Sequence, residues 1–381
     1  MVVASASSVA QRAARIRVGV VGANPTRGWG SAAHLPALRG LDEYEIRAVA
    51  TTRAETAQAS AEAFGAPLAF TEGQDLVAHP DVDVVAVAVK VPEHYEVISA
   101  ALASGKHIFS EWPLGVDTEQ ARHLAELAEA SGVAHVVGLQ GWHAPGALFV
   151  KELLDRGAVG RPVAVSVVTA GGLGGARIPA ANLYATDVAA GATVLSISAG
   201  HTLATLTRAV GRVRSLSAVV ATVNREATVI ETGHTVPVSA PDQVVLAGLL
   251  DNDAVVSMAV QGGAVPSGPG FEVRIVGTEA TLTVRPASPG AIHITDWAVS
   301  IARADGSTDD LVVPDRLVPV PASVPAGPPR NVAILYRLLA QKITEGRPLT
   351  PDFADAADHH HLLDNIGRAS HTGSAQATQV R

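Results

Sequence analysis

The chain of 381 residues contains no cysteine, which excludes disulfides, thiolate metal sites and thiol nucleophiles. It is also poor in charge. Asp, Glu, Lys and Arg make up 17% of it against 48% hydrophobic residues, too little charge and too much apolar material for a disordered chain. Lys and Arg number 28 and Asp and Glu 36, a net charge of −8, with no basic run. A surface that tracks the phosphates of a nucleic acid is therefore not expected. No apolar stretch reaches the roughly 18 residues a spanning helix needs; the densest, 82–89, ends at Lys90. Residues 1–15 lack a charged n-region and a long apolar core, so they read as a flexible tail and not as a signal peptide. A soluble, cytoplasmic protein without membrane contact is expected. No repeat is visible, and at about 150 residues per domain the length points to two or three domains.

What is present has two textures. Between 16 and 139, short Val- and Ile-rich runs (16–21, 45–50, 82–89, 107–109 and 134–139) alternate with stretches of helical spacing (31–39, 54–64, 93–104 and 118–130). Thr118, Gly105 and Gly132 supply caps or stops. This alternation predicts right-handed βαβ units and an α/β, doubly wound parallel sheet of Rossmann type. After a helix over 145–156 come strand-like runs at 162–170, 213–223, 243–250, 254–261, 271–277 and 281–285, one long helix over 192–210, and Asn252-Asp253 where a hairpin would turn. This predicts an α+β domain on a largely antiparallel open sheet. Segments 262–270 and 314–329 read as loops, and 331–345 as a helix able to return to the first domain. The expected division is a flexible tail over 1–15, a dinucleotide-binding domain over 16–143, a substrate and oligomerisation domain over 144–345, and a C-terminal helix and tail over 346–381. Alternating apolar Val244, Leu246, Val256, Met258, Val273 and Ile275 suggest a sheet face too apolar for water. A sheet-to-sheet homodimer, or its doubling into a homotetramer, is expected.

The first strand ends in Gly22-Ala23-Asn24-Pro25-Thr26-Arg27-Gly28-Trp29-Gly30. A dinucleotide fingerprint needs glycines here so that the backbone turns tightly and meets a pyrophosphate at a helix N-terminus. The strict G-x-G-x-x-G is absent: Asn24, a residue that tolerates positive φ, takes the middle place in a longer loop. The second strand ends in Thr51-Thr52-Arg53, where a site for NAD(H) carries an acidic residue. Two hydroxyls and a guanidinium suit a 2′-phosphate, so NADP(H) is the expected cofactor and NAD(H) the lesser choice; an N-cap beside an exposed arginine is the structural alternative.

The segment Ser110-Glu111-Trp112-Pro113-Leu114, after Ser104-Gly105-Lys106-His107-Ile108, together with 151–160 and His201, resembles the Gfo/Idh/MocA oxidoreductase family over nearly the whole chain. Asn24 with Gly28-Trp29, residues 94–97, Glu111-Trp112, residues 139–141, residues 200–202, Pro241-Asp242 and residues 261–263 look most like the branch of the fungal galactose-pathway repressor. The resemblance implies hydride transfer between a nicotinamide and a sugar, sugar-derived or other carbonyl or polyol substrate. The branch implies an alternative, a non-catalytic dinucleotide-sensing regulator acting through a protein partner.

Hydride transfer needs a base or acid for the substrate oxygen. The family's usual Lys and Asp positions hold Trp112 and Ile197 here, neither able to exchange a proton at neutral pH. His201, whose ordinary pKa near 6.5 fits either direction, is then the leading catalytic candidate, with the core-residue reading standing beside it. Lys90, at a strand end facing the ligand crevice, is the second candidate for proton transfer and for the cofactor site. Tyr184 and Asp187 are polar candidates for the substrate pocket. Glu111 is expected to bind cofactor ribose or carboxamide. Trp112 beside Pro113 is either an aromatic plug or a stacking platform for nicotinamide or sugar, and Gln140 and Trp142 are similarly open. His359-His360-His361 with Asp358 raises a metal, but consecutive helical side chains diverge by about 100°, so no metal site is expected.

Overall fold

The computed structural model describes residues 15–263 and 270–378; residues 1–14 of the expected tail, and most of the loop read at 262–270, lie outside them. The first sheet is six-stranded and parallel. Its strands are β1 (Ile16–Val21), β2 (Tyr44–Ala50), β3 (Leu68–Phe70), β4 (Val84–Val87), β5 (His107–Ser110) and β6 (His135–Val137), in the order β3-β2-β1-β4-β5-β6. Helices α1 (Leu35–Arg39), α2 (Ala54–Phe64), α3 (Gly73–Ala78), α4 (Val91–Ala103) and α5 (Thr118–Ser131) connect them. Strand β4 is buried at every residue, as a strand covered on both faces must be. Only 84–87 of the apolar run 82–89 is strand, because 88–90 leave the sheet toward a cleft. Strand β3 and helix α3 escape a periodicity reading: each is only three to six residues long. Gly19 is needed where α3 closes on β1, since a Cβ there would lie 2.5 Å from Leu76.

Helix α6 (Pro145–Asp155) leads to the second sheet. It contains β7 (Pro162–Gly171), β9 (Val213–Ala221), β12 (Gln243–Leu250), β13 (Val255–Gly262), β14 (Phe271–Gly277), β15 (Ala280–Pro286), β16 (Trp297–Arg303), β17 (Thr308–Leu311) and β18 (Gln376–Ala377). Every neighbouring pair is antiparallel except β7 with β13. Three short strands, β8 (Arg177–Ile178), β10 (Glu226–Val229) and β11 (Thr235–Pro237), form a small separate sheet. Asp253 turns between β12 and β13 with φ 66°, in keeping with the expected hairpin. The helix read at 192–210 is a π turn (Val194–Ala199) running into α7 (Gly200–Val210).

One expectation is reversed. Val244, Leu246, Val256, Met258, Val273 and Ile275 are at most 3% exposed and share a core with Phe149 of α6 and Leu203 and Leu206 of α7. They face inward because helices cover that side. The open face carries the other alternate set: Ser166, Val168, Ser217, Val219, Val245, Ala247 and Ser257 are exposed. Helix α8 (Pro328–Glu345) returns to the first sheet, where Val332, Leu335, Tyr336 and Leu339 pack with Val18, Val20 and Leu35. Helix α9 (Phe353–Thr372) lies on β9 and α5.

Candidate functional site

The carboxyl ends of β1, β2 and β4 open into a cleft of about 720 Å³. Gly22, Asn24, Gly28, Trp29, Thr51, Thr52, Arg53 and Lys90 all line it, and Tyr184 reaches it from the second half of the chain together with Ala181 and Asn182. Gly22 has φ 95°, and a Cβ there would meet the Ala88 carbonyl oxygen at 2.5 Å; Gly28 has φ 87° with nothing within 4 Å of a Cβ position, leaving its backbone open to a ligand. The turn that follows (Gly30–His34) is a π turn running into α1. Asn24 does not adopt positive φ. Its carboxamide oxygen instead accepts from Thr26 N at 3.1 Å, which shapes the loop as an Asx turn does.

At the end of β2, Arg53 is the extended N-cap of α2 (φ −142°), and its carbonyl accepts from the hydroxyls of Thr51 and Thr56. Thr51 thus braces the turn, while Thr52 and Arg53 stand exposed at the cleft. The Lys90 ammonium lies 4.8 Å from the centre of the Tyr184 ring, a cation–π distance that ties the end of β4 to the turn Ala180–Thr186. Burial raises the Tyr184 phenol above its ordinary pKa, so it holds its proton.

The remaining predicted residues do not line this cleft. Glu111 accepts from Gln140 Nε2 at 3.0 Å and pairs with His34 Nε2 at 2.9 Å, while His34 Nδ1 meets the Tyr336 hydroxyl at 2.8 Å. These contacts form an interior chain from the end of β5 to α8. Trp112 is 4% exposed, its Nε1 donates to Ser196 O at 2.8 Å, and its ring sits 4.5 Å from His360 and 5.0 Å from His359. Pro113 follows a cis bond, and its carbonyl lies 2.9 Å from His94 Nδ1. Asp187 is exposed and caps the turn Val188–Ala190, accepting from Ala189 N.

His201 is 5% exposed and stacked face to face on His293, with ring centres 3.7 Å apart and planes 3° apart. Burial, then His293 and His359, hold it well below the ordinary imidazole value, which corrects the expectation of a pKa near 6.5. Burial likewise pushes His293 to about 3, His359 to about 4 and, with His359 adding to the effect, His360 to about 3. His359 Nε2 bonds Gly200 O at 2.8 Å. Among the described residues no group of three or more His, Asp or Glu is placed to hold a metal, and no helix is long and apolar enough to cross a membrane.

Arg27, Glu72, Gln74, Glu93 and Glu96 also line the cleft. Arg27 was readable from its place inside the Gly-rich loop. Glu72 and Gln74 follow the unread strand β3, and His293 sits in a loop with no periodicity to mark it.

The fold and the cleft define a nucleotide-binding Rossmann domain joined to a second, sheet-based domain. Residues 16–139 match the family model of the Gfo/Idh/MocA oxidoreductase family, NAD-binding Rossmann fold, and residues 145–286 match that of the Gal80p C-terminal domain. The chain is thus similar to a Gfo/Idh/MocA Rossmann domain over its first third and to a Gal80p C-terminal domain over the segment that follows. It is 29% identical over 68% of its length to the galactose/lactose metabolism regulatory protein GAL80 of Saccharomyces cerevisiae, covering 63% of that protein. It is 33% identical over 54% of its length to the dehydrogenase aclE of Aspergillus oryzae, covering 57% of that protein. The matched segments therefore span about three-fifths of these relatives. The crystal structure of a super-repressor mutant of Saccharomyces cerevisiae Gal80p shares the fold with a TM-score of 0.83 at 24% identity, over 96% of this chain and 98% of that one.

Proposed function

We propose that the protein is an NADP(H)-dependent oxidoreductase acting on a sugar, sugar-derived or other carbonyl or polyol substrate. The observation that carries this reading is the open cleft whose β2 end presents Thr52 and Arg53 and no carboxylate. Gly22, Asn24, Gly28 and Trp29 would hold the pyrophosphate half of the dinucleotide, helped by the backbone N–H groups of the turn that starts at Gly30. Arg53 would hold the 2′-phosphate. A bound nicotinamide supplies the hydride acceptor or donor. The proton falls to Lys90, at the end of β4, and to Tyr184, which packs against its ammonium and whose phenol burial holds in the protonated form, as delivery to a carbonyl oxygen needs. His201, kept uncharged by its surroundings, binds substrate and does not exchange a proton. The test is turnover of NADPH and NADP⁺ across a carbohydrate and carbonyl panel. Tight cofactor binding with no turnover above buffer for any compound would defeat the reading.

One observation favours a second reading. Trp112 and Ile197 stand where a family enzyme would keep its Lys and Asp, and the Trp112 ring is packed against His359 and His360. A protein of that design senses the dinucleotide and acts through a protein partner. A pull-down whose partner is released by NADP(H), from a protein without turnover, would establish it. In either case the exposed Val168, Val219 and Val245 support assembly as a homodimer or homotetramer through the open sheet face. A monomer by light scattering at micromolar concentration would contradict that.

A further inference from the structure

We propose that Lys90, steadied by the Tyr184 ring, makes the cleft selective for the reduced cofactor, so that the protein takes up NADPH in preference to NADP⁺ and works in the direction of carbonyl reduction. This rests on the oxidoreductase reading and adds to it a direction and the residues that set it. NADPH and NADP⁺ share the 2′-phosphate and the pyrophosphate, so Arg53 and the loop from Gly22 to Gly30 hold both alike. The two differ only at the nicotinamide ring, uncharged in one and a cation in the other, so a discriminating group has to stand at that end. With the 2′-phosphate at Arg53, after β2, and the pyrophosphate on the loop after β1, that end falls toward β4, where Lys90 is exposed and lines the cleft.

Three observations put a steadied cation there. The Lys90 ammonium lies 4.8 Å from the centre of the Tyr184 ring, so the ring face that would otherwise attract a cationic nicotinamide is already taken by another cation. Among the described residues no carboxylate pairs with Lys90; Glu72, Glu93 and Glu96 also line the cleft but are exposed, where water and salt screen them. The turn that carries Tyr184 is anchored at both ends: Ala180 N donates to Glu231 Oε2 at 2.7 Å and Ser239 N to Thr186 O at 2.9 Å. An ammonium held in this way repels a pyridinium and is indifferent to a dihydropyridine. The same charge completes the chemistry. Lys90 gives its proton to the carbonyl oxygen while the carbonyl carbon takes the hydride of NADPH; the C=O π bond breaks, O–H and C–H bonds form, and the ammonium is left a neutral amine beside NADP⁺. One positive charge has passed from Lys90 to the cofactor, so two adjacent cations never coexist, and the amine recovers its proton from water once NADP⁺ has left. Alcohol oxidation would have to begin from the repelling pair, with Lys90 already protonated.

The experiment titrates the full chain with NADPH, NADP⁺ and 2′-phospho-ADP-ribose, which lacks the nicotinamide, by calorimetry, so that the result does not depend on turnover. The parent is expected to bind NADPH about 10-fold more tightly than NADP⁺ at low salt, a ratio that shrinks as salt screens the exposed ammonium. Lys90→Met, which keeps the length of the side chain and removes its charge, is expected to bring the two within about 2-fold by strengthening NADP⁺, and to leave 2′-phospho-ADP-ribose unchanged. Lys90→Arg, which keeps both the charge and the ring contact, should preserve the parent ratio. This pattern without turnover of any carbonyl compound would uphold the selectivity while defeating the oxidoreductase reading. Equal affinities for NADPH and NADP⁺ in the parent would overturn the proposal. An equal loss of all three ligands in Lys90→Met would also overturn it and make Lys90 a phosphate anchor.

Discussion

The dinucleotide cleft and the histidine–indole cluster behind Trp112 are built from opposite materials. The cleft is backbone and exposed polarity: Gly22 and Gly28 at positive φ, with Thr52, Arg53 and Lys90 open to solvent. The cluster is buried aromatic polarity, with Trp112, His201, His359 and His360 all below 10% exposure. A cleft of the first kind costs little to leave empty, because water satisfies it. A cluster of the second kind is held by packing, and its imidazoles stay uncharged to remain inside.

The largest effect that would sharpen this contrast belongs to the closed region. Trp112→Ala should lower unfolding free energy by about 3–5 kcal/mol, the range for removing a large buried aromatic, as read by denaturant unfolding. A loss under about 1 kcal/mol would mean that the indole is a mobile platform and not a plug. Next is Arg53→Ala, which should weaken NADPH by about 1.5–3 kcal/mol, the range for hydrogen bonds to charged groups, and leave NADH nearly unchanged. Calorimetry showing equal losses would reduce Arg53 to a part of the α2 cap.

The smallest effect is a slope with pH. The folded state holds His293 and His360 at about 3 and His359 at about 4, below the unfolded value of 6.5. Between those values the unfolded chain binds more protons. Their stabilising contribution is complete above pH 6.5 and is lost as pH falls, at about 1.4 kcal/mol per imidazole per pH unit. Asp355, raised to about 6 by burial first and by Asp352 and Asp358 next, works with the opposite sign: its contribution is complete below 3.8 and lost as pH rises toward 6. Melting temperature should therefore fall from pH 7 to pH 5, and His360→Leu should flatten the slope. An unchanged slope in that variant would show that His360 is protonated in the folded protein.

The legibility of the two regions in the sequence differs for a physical reason. The cleft follows from local rules, a Gly-rich turn after one strand and Thr51-Thr52-Arg53 after the next, so the residues expected there do meet. Six of the nine strands of the second sheet were legible, β16, β17 and β18 were not, and neither was which face was covered. Val244 and Val245 are both apolar, and only the helices packed above decide that the first is buried and the second exposed. The cluster depends on contacts distant in sequence, His201 with His293 and Trp112 with His360, that no periodicity reports. The partners of Glu111 were not legible for the same reason: His34 and Gln140 come from elements on either side of it in the chain.

The central claim is that proton exchange belongs to the open region and not to the closed one. It is tested most directly by kcat at saturating substrate for Lys90→Ala and His201→Ala, measured side by side with NADPH and a carbonyl substrate that turns over. Lys90→Ala should lose about 10²- to 10⁴-fold, the usual contribution of a general acid, while His201→Ala should raise KM and lower kcat by less than about tenfold. A collapse of kcat in His201→Ala with Lys90→Ala nearly silent would contradict the account and return the proton to the buried histidine.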